Sequence, residues 1–254
     1  MIKLYACILI FIMIFPAIII IPQAFTSVNY FKYPIEEFSL KWFEKFFANS
    51  EWVVGLQRSI GIALVSAIIA TILGTMAAVA VNKFNFKGKS LFMSIMIAPM
   101  VVPVIVVGVS LYNSFAVVGL TNSFIGIIFA HVLLGIPMVF VTMLSGLANV
   151  DENLELAAMS MSATPLKTFF TITLPTVRSS LVSSMLFTFV TSLDEVVVTT
   201  FVSGANTKTL TMVMWENIRT NIDPSLAVAA IFMIILTLSM YIIKEIIEIR
   251  TENR

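Results

Sequence analysis

The chain has 254 residues, 59% hydrophobic and 11% charged, with a mean hydropathy of +1.02; an ordinary soluble domain is about 25% charged. Fifteen basic and fourteen acidic residues leave a net charge of +1, which is no footprint for nucleic acid. One cysteine, Cys7, and one histidine, His131, exclude an intrachain disulfide and argue against a redox or zinc enzyme. The composition is that of a membrane protein.

A helix crossing about 30 Å of hydrocarbon needs roughly 20 apolar residues. Residues 4–24 form the first such stretch. Opening with Met1 and Lys3, it resembles a signal peptide, but its apolar run is too long and it lacks a clean small-residue cleavage site, so it is expected to stay as an anchor. The following loop, 25–58, contains SLKWFEKFFANSEW, in which Trp42, Phe43, Phe46, Phe47 and Trp52 alternate with Lys and Glu. This pattern predicts an amphipathic helix at the interface. Trp42 is read there as a belt anchor or as a residue near the outer mouth of a pathway.

Further spans are predicted at 59–81, 90–112, 123–147, 180–203 and 225–246, six in all. Pro99, Pro103 and Pro137 fall inside them, where proline frees backbone carbonyls and kinks helices. His131 in the fourth is expected to be packed and neutral, bonded to a neighbouring backbone, with a pathway role as the lesser alternative. NKFNFKGKS, between the second and third, holds Lys83, Lys87 and Lys89 without an acid. Positive charge is retained on the cytoplasmic side, so this loop and both termini are placed inside, in agreement with Lys3, Lys244, Arg250 and Arg254. Nine of the fifteen basic residues then lie inside. No P-loop or Gly-rich nucleotide fingerprint is present, so any nucleotide hydrolysis must occur on another chain.

Residues 148–178, ANVDENLELAAMSMSATPLKTFFTITLPTVR, are longer than a simple connection requires. Asn149 with Glu152 fits a capping box. Leu154, Ala157, Ala158 and Met161 recur at helical spacing, leaving Glu152, Glu155, Met159 and Ser162 along another face. Thr164 caps a second helix that begins at Pro165, and Pro175 is expected to end it before the fifth span. A helix–turn–helix made small on one side by Ala157 and Ala158 suits docking into a partner's groove. A mere connecting helix fits the spacing equally well.

FVTSLDEVVVTTFV places Asp194 and Glu195 inside the fifth span. A continuous 180–203 helix would be about 36 Å long and put both acids about 4 to 5 Å outside its centre. A charge at that depth costs roughly 2.5 to 3.5 kcal/mol and persists only where it faces a cavity, a partner charge or another subunit. Successive helical residues differ by 100°, so the two carboxylates are expected to face different ways, with Thr191 and Ser192 near enough to supply hydroxyls.

The 148–178 segment resembles the cytoplasmic signature of ABC importer permeases, E-A-A, three residues, G, nine residues, I-x-L-P. Ala157, Ala158, Ile172, Leu174 and Pro175 match it at the right separations. Leu156 stands at the signature's Glu, with Glu155 one residue earlier, and Ser162 stands at its Gly. APMVVPVIVVGVSLY, AHVLLGIPMV, TSLDEVVVTTFVSG and TLTMVMWENIRTNIDP are similar to the polyamine-type branch of that family, although Val104 replaces an acid that some of its members carry.

The resemblance implies an all-α polytopic membrane protein of the type I ABC importer permease fold, with six transmembrane helices in one permease domain over 1–254 and a coupling region at about 149–176. It implies a chain that is not an enzyme and binds no metal or cofactor, with ATP and Mg on a partner ATPase dimer. Its expected partners are that dimer, a second permease subunit, a periplasmic or extracellular solute-binding protein and membrane lipid, with no nucleic acid. The location implied is the inner (plasma) membrane. Glu155, Ala157, Ala158, Ser162, Pro165 and Pro175 are expected to couple to the ATPase, and Ser192, Asp194, Glu195 and Trp42 to lie on the substrate pathway. Trp215, Glu216 and Arg219, on the outer side, are candidates for touching the delivery protein. The solute implied is a polyamine such as spermidine or putrescine; another small organic solute or a metal ion is the alternative. A secondary transporter or cation channel using the acids as a proton or cation site is the rival class, and it has no need of a docking helix.

Overall fold

The computed structural model describes residues 2–252. Met1 and Arg254 lie outside the described residues, as do the side chains of Lys3 and Arg250. In chain order the helices are α1 (Ile2–Gln23), α2 (Lys41–Ala48), α3 (Ser50–Lys83), α4 (Lys89–Val101), α5 (Val104–Val118), α6 (Phe124–Leu147), α7 (Glu152–Ser160) and α8 (Pro165–Thr168). A π-helical turn (Phe169–Thr173) then leads into α9 (Leu174–Thr176), α10 (Arg178–Asp194), α11 (Val197–Val202), α12 (Leu210–Thr220) and α13 (Ser225–Glu252). Among the described residues the sole β pairing is an isolated bridge between Thr26 and Phe38.

Four of these helices, α1, α3, α6 and α13, are long and apolar enough to cross a membrane, and a fifth crossing is available if α4 and α5 count as one bent span. This corrects the expectation of six continuous spans in two places. The third span bends by 105° between Val101 and Val104. Its cause is local: proline disfavours the helical region for the residue before it, and Val102 is accordingly extended (φ −73°, ψ 134°) ahead of Pro103. The stretch predicted as the fifth span is not one helix, because α10 stops at Asp194 and α11 restarts at Val197.

The chain forms two compact units. One comprises the chain up to Arg58 with Lys208–Ser239, and the other Ser59–Thr207 with the chain from Met240 onward. In the first, Trp42, Phe46, Trp52, Leu210, Val213 and Val228 make a buried core. The predicted amphipathic helix exists as α2, but its apolar face packs on protein: Trp42 and Phe46 are buried, and Phe47 is the large ring left exposed. Lys45 pairs with Asp223 at 2.7 Å, and Lys208 with Glu51 at 3.1 Å and Glu216 at 2.5 Å.

In the second unit α6 packs along α10, and α5 along α11. Glycines permit both approaches. A Cβ on Gly135 of α6 would lie 2.4 Å from Thr188 Cγ2 of α10, and one on Gly108 of α5 would lie 2.6 Å from Phe201 Cδ2 of α11.

Candidate functional site

The two acids of TSLDEVVV lie at the interruption between α10 and α11. A helix end leaves its last four carbonyls without intrahelical partners and carries the negative end of the helix dipole. Asp194, the last residue of α10, is exposed and adds a carboxylate at that end. Glu195 leaves the helix (φ −71°, ψ 108°) and folds forward: its Oε1 accepts from Val198 N at 2.8 Å, capping α11, and its carbonyl accepts from the Thr199 hydroxyl at 2.9 Å. The acids therefore occupy different environments. The cause is the interruption, and the 100° helical rotation expected from the sequence does not apply across it.

The neighbouring hydroxyls do not serve the acids as expected. Thr191 donates to Phe187 O at 2.8 Å, and Ser192, buried, sits with its Oγ 2.6 Å from His131 Nδ1. His131 is itself buried on α6, and its Nε2 lies 2.9 Å from Thr199 Oγ1. It bonds two side-chain hydroxyls, not the backbone group predicted. Ser192, Asp194 and Glu195 thus lie around one interruption, with their side chains in different surroundings. Trp42 belongs to the other unit, where it is 2% exposed, donates from Nε1 to Val28 O at 3.2 Å and carries Lys45 over its ring at 4.6 Å. That burial leaves its ring without an open face for a solute.

The second candidate site is the segment around α7. Asp151, not Asn149, caps it, accepting from Asn153 N at 2.9 Å; Asn149 instead donates to Ser145 O at 3.0 Å. The helix ends in a Schellman arrangement: Ala163 N donates to Ala158 O at 3.1 Å and Ser162 N to Met159 O at 3.0 Å. Ser162 holds the left-handed position such an ending needs, at φ +67°. Thr164 caps α8 through Lys167 N at 3.3 Å with Pro165 at its first position. Pro175 does not stop the chain's helical course. It lacks a donor, and the π-helical turn just before it, in which Leu174 N reaches back to Phe169 O, carries the backbone through into α9.

Around α7 the surface is apolar and open. Leu154, Leu156, Met159, Met161 and Leu166 are exposed, as are Ala157, Ser162, Pro165 and Pro175, while Ala158 is half-buried. Glu155 departs from the expected docking surface. It is 8% exposed, bonded by Lys83 from the end of α3 and by the Thr173 hydroxyl from the π-helical turn. Burial acts to raise its carboxyl, but the hydrogen bonds from Lys83 and Thr173 and the Lys83 charge outweigh that and hold it below its ordinary value. The residue tethers α7 to α3. Leu156, at the signature's acidic position, takes the outward direction instead.

His131, Thr199, Lys83 and Thr173 were not read from the sequence as members of these sites. Glu155 and Lys83 are 72 residues apart, and neither spacing nor periodicity links them. The isolated histidine was the visible signal for the first site. Among the described residues no cluster of three or more His, Cys, Asp or Glu is placed to hold a metal ion.

Comparison with known proteins bears on both regions. The chain is 32% identical over 232 residues to the spermidine/putrescine transport system permease protein PotC of Haemophilus influenzae, covering 91% of this chain and 90% of that one. It is 34% identical over 195 residues to the putrescine transport system permease protein PotI of Escherichia coli K12, covering 74% and 69%. Its fold resembles that in the crystal structure of a bacterial ABC transporter involved in the import of the acidic polysaccharide alginate, with a TM-score of 0.76, 13% identity, and coverage of 98% of this chain and 94% of that one. The fold is that of the type I ABC importer permeases. Residues 70–253, including the α7 segment and the acidic interruption, match the family described as binding-protein-dependent transport system inner membrane component, and the chain belongs to that family.

Proposed function

We propose that this chain is a permease subunit of an ABC importer that moves a polyamine, spermidine or putrescine, into the cytoplasm. The observation that carries the solute class is the interrupted span: Asp194 is exposed where α10 ends, so its carboxylate adds to the negative end of that helix, while the adjacent Glu195 carboxylate caps α11. A linear chain of ammonium groups offers charge and N–H donors and little else, so charge-assisted bonds to carboxylates are its natural recognition. The same potential repels an oxyanion. The names of the relatives in Haemophilus influenzae and Escherichia coli support this choice.

In this reading α10 and α11 together form the fifth of six crossings, both termini are cytoplasmic, and the membrane is the inner one. The exposed surface of Leu154, Ala157, Leu156, Met161 and Leu166, with Ala158, Ser162, Pro165 and Pro175 in and around the same segment, docks on one subunit of an ATPase dimer that carries ATP and Mg. A rigid docked helix works as a lever. Glu155, bonded to Lys83, transmits the displacement of α7 to α3. A second permease subunit completes the pathway, and a solute-binding protein delivers to the outer side, where Trp215, under Arg219 at 4.9 Å, is exposed.

The test is the energy source. Uptake of labelled spermidine by cells carrying the complete transporter should stop when ATP is depleted while a proton gradient is kept. Uptake that continues under those conditions would assign the chain to the secondary transporters.

A further inference from the structure

We propose that His131 is the positioning residue of the acidic interruption, holding the end of α10 to α11 through a one-way chain of hydrogen bonds and thereby fixing where Asp194 is presented. The inference rests on the reading of Asp194 as a pathway residue, and its geometric part stands independently of which solute passes.

Thr199 donates its only hydroxyl proton to the Glu195 carbonyl at 2.9 Å. Its Oγ1 therefore meets His131 Nε2, 2.9 Å away, as an acceptor. Nε2 must carry the ring proton. In the neutral ring Nδ1 is then an acceptor, and Ser192 Oγ, 2.6 Å away, donates to it. The order is Ser192 to His131 to Thr199 to the Glu195 carbonyl, with His131 and Thr199 each accepting one bond and donating the next, the arrangement in which bonds polarise one another.

The chain of bonds ties together two helices whose backbone hydrogen bonding is interrupted between Asp194 and Val197. Ser192 is in the last turn of α10, Thr199 is in α11, and Glu195 lies in the interruption between them. His131 stands on α6, which is packed along α10 and also contacts α11. Ser192, His131 and Thr199 are all more than nine-tenths buried, so a lost member leaves its partners out of reach of bulk solvent. Without the ring, nothing in this set holds Ser192 and Thr199 in fixed relation, and the carboxylate two residues after Ser192 loses its fixed position.

The experiment uses the assembled transporter with Cys7→Ser and Asp194→Cys, and reads the rate at which a small cationic methanethiosulfonate reagent labels position 194. His131→Leu and Thr199→Val should each change that rate at least fivefold. His131→Gln, which keeps one donor and one acceptor, and Thr199→Ser, which keeps the hydroxyl, should hold it within twofold. Thr199→Val is nearly isosteric and decides the matter if His131→Leu does not assemble. Unchanged labelling in the Thr199→Val and His131→Leu transporters overturns the proposal, as does equal disturbance by the Ser and Gln variants. Spermidine uptake insensitive to Asp194→Asn, with labelling still governed by His131, would reject the solute reading and leave the positioning role standing.

Discussion

Lys83→Met tests the bond between α3 and the α7 segment. The substitution keeps the length of the side chain and removes its charge, leaving the Glu155 carboxylate 8% exposed with Thr173 as its remaining bonded partner of the two described. A hydrogen bond to a charged group contributes about 1.5 to 3 kcal/mol, and breaking a fully buried pair costs about 3 to 5 kcal/mol. The Lys83 side chain is 25% exposed, so solvent screening puts the loss nearer the lower range, at about 2 kcal/mol. That free energy corresponds to roughly a 30-fold change in an opening equilibrium. Hydrogen exchange of the α7 amides, measured where exchange follows opening, should accelerate by that factor, while amides of α6 keep their rates. The double variant Lys83→Met with Glu155→Gln should recover part of the protection, because no unpaired charge is left. A change below about threefold in α7 would refute the assignment of Glu155 as its tether. The pH dependence has a definite sign. A carboxyl held below its ordinary value stabilises fully above the unfolded value, 4.5, and the protection of α7 should be lost as pH falls below that and through the folded value.

Ser162→Gly should stabilise the turn after α7, because a left-handed residue with a Cβ costs about 1 to 2 kcal/mol and glycine returns roughly 0.5 to 1 kcal/mol of that as chain entropy. A net gain of about 0.5 to 1 kcal/mol would appear as slower exchange at residues 160–163, whereas faster exchange would contradict the strain seen at φ +67°. Gly135→Val should force α6 from α10, since even its Cβ would sit 2.4 Å from Thr188 Cγ2. A cost of about 1 to 3 kcal/mol is expected for such overpacking, read as a lower unfolding temperature of the purified protein; an unchanged temperature would mean the two helices are less closely packed than the structure has them.

Long, uniformly apolar stretches were legible because hydrocarbon thickness alone demands them, and α1, α3, α6 and α13 follow from that. Thr164 before Pro165 was legible because a cap acts within one turn. The bend at Pro103 was signalled by its residue type, but residue type alone does not give its size of 105°. The interruption at Asp194–Glu195 was hidden, because apolar and hydroxyl residues continue on both sides and hydropathy averages over it. The capping role of Glu195 was hidden for the same reason. The partners of His131 and Glu155 lie 61 to 72 residues away for His131 Nδ1 and for Lys83, a separation that neither periodicity nor local capping rules can bridge. The burial of Trp42 was hidden because an amphipathic pattern specifies an apolar face without saying whether lipid or protein covers it.

The measurement that bears most directly on the whole account is ATP-driven accumulation of labelled spermidine in proteoliposomes containing this chain, its permease and ATPase partners and the loaded delivery protein. The wild-type transporter should accumulate spermidine. Asp194→Asn should lower the initial rate at least tenfold, equivalent to about 1.4 kcal/mol. Glu195→Gln should lower it less, because the amide oxygen still accepts from Val198 N and keeps α11 capped. Absent accumulation of spermidine and putrescine, or equal and negligible effects of the two substitutions, would contradict the claim that the interrupted fifth span is a polycation pathway.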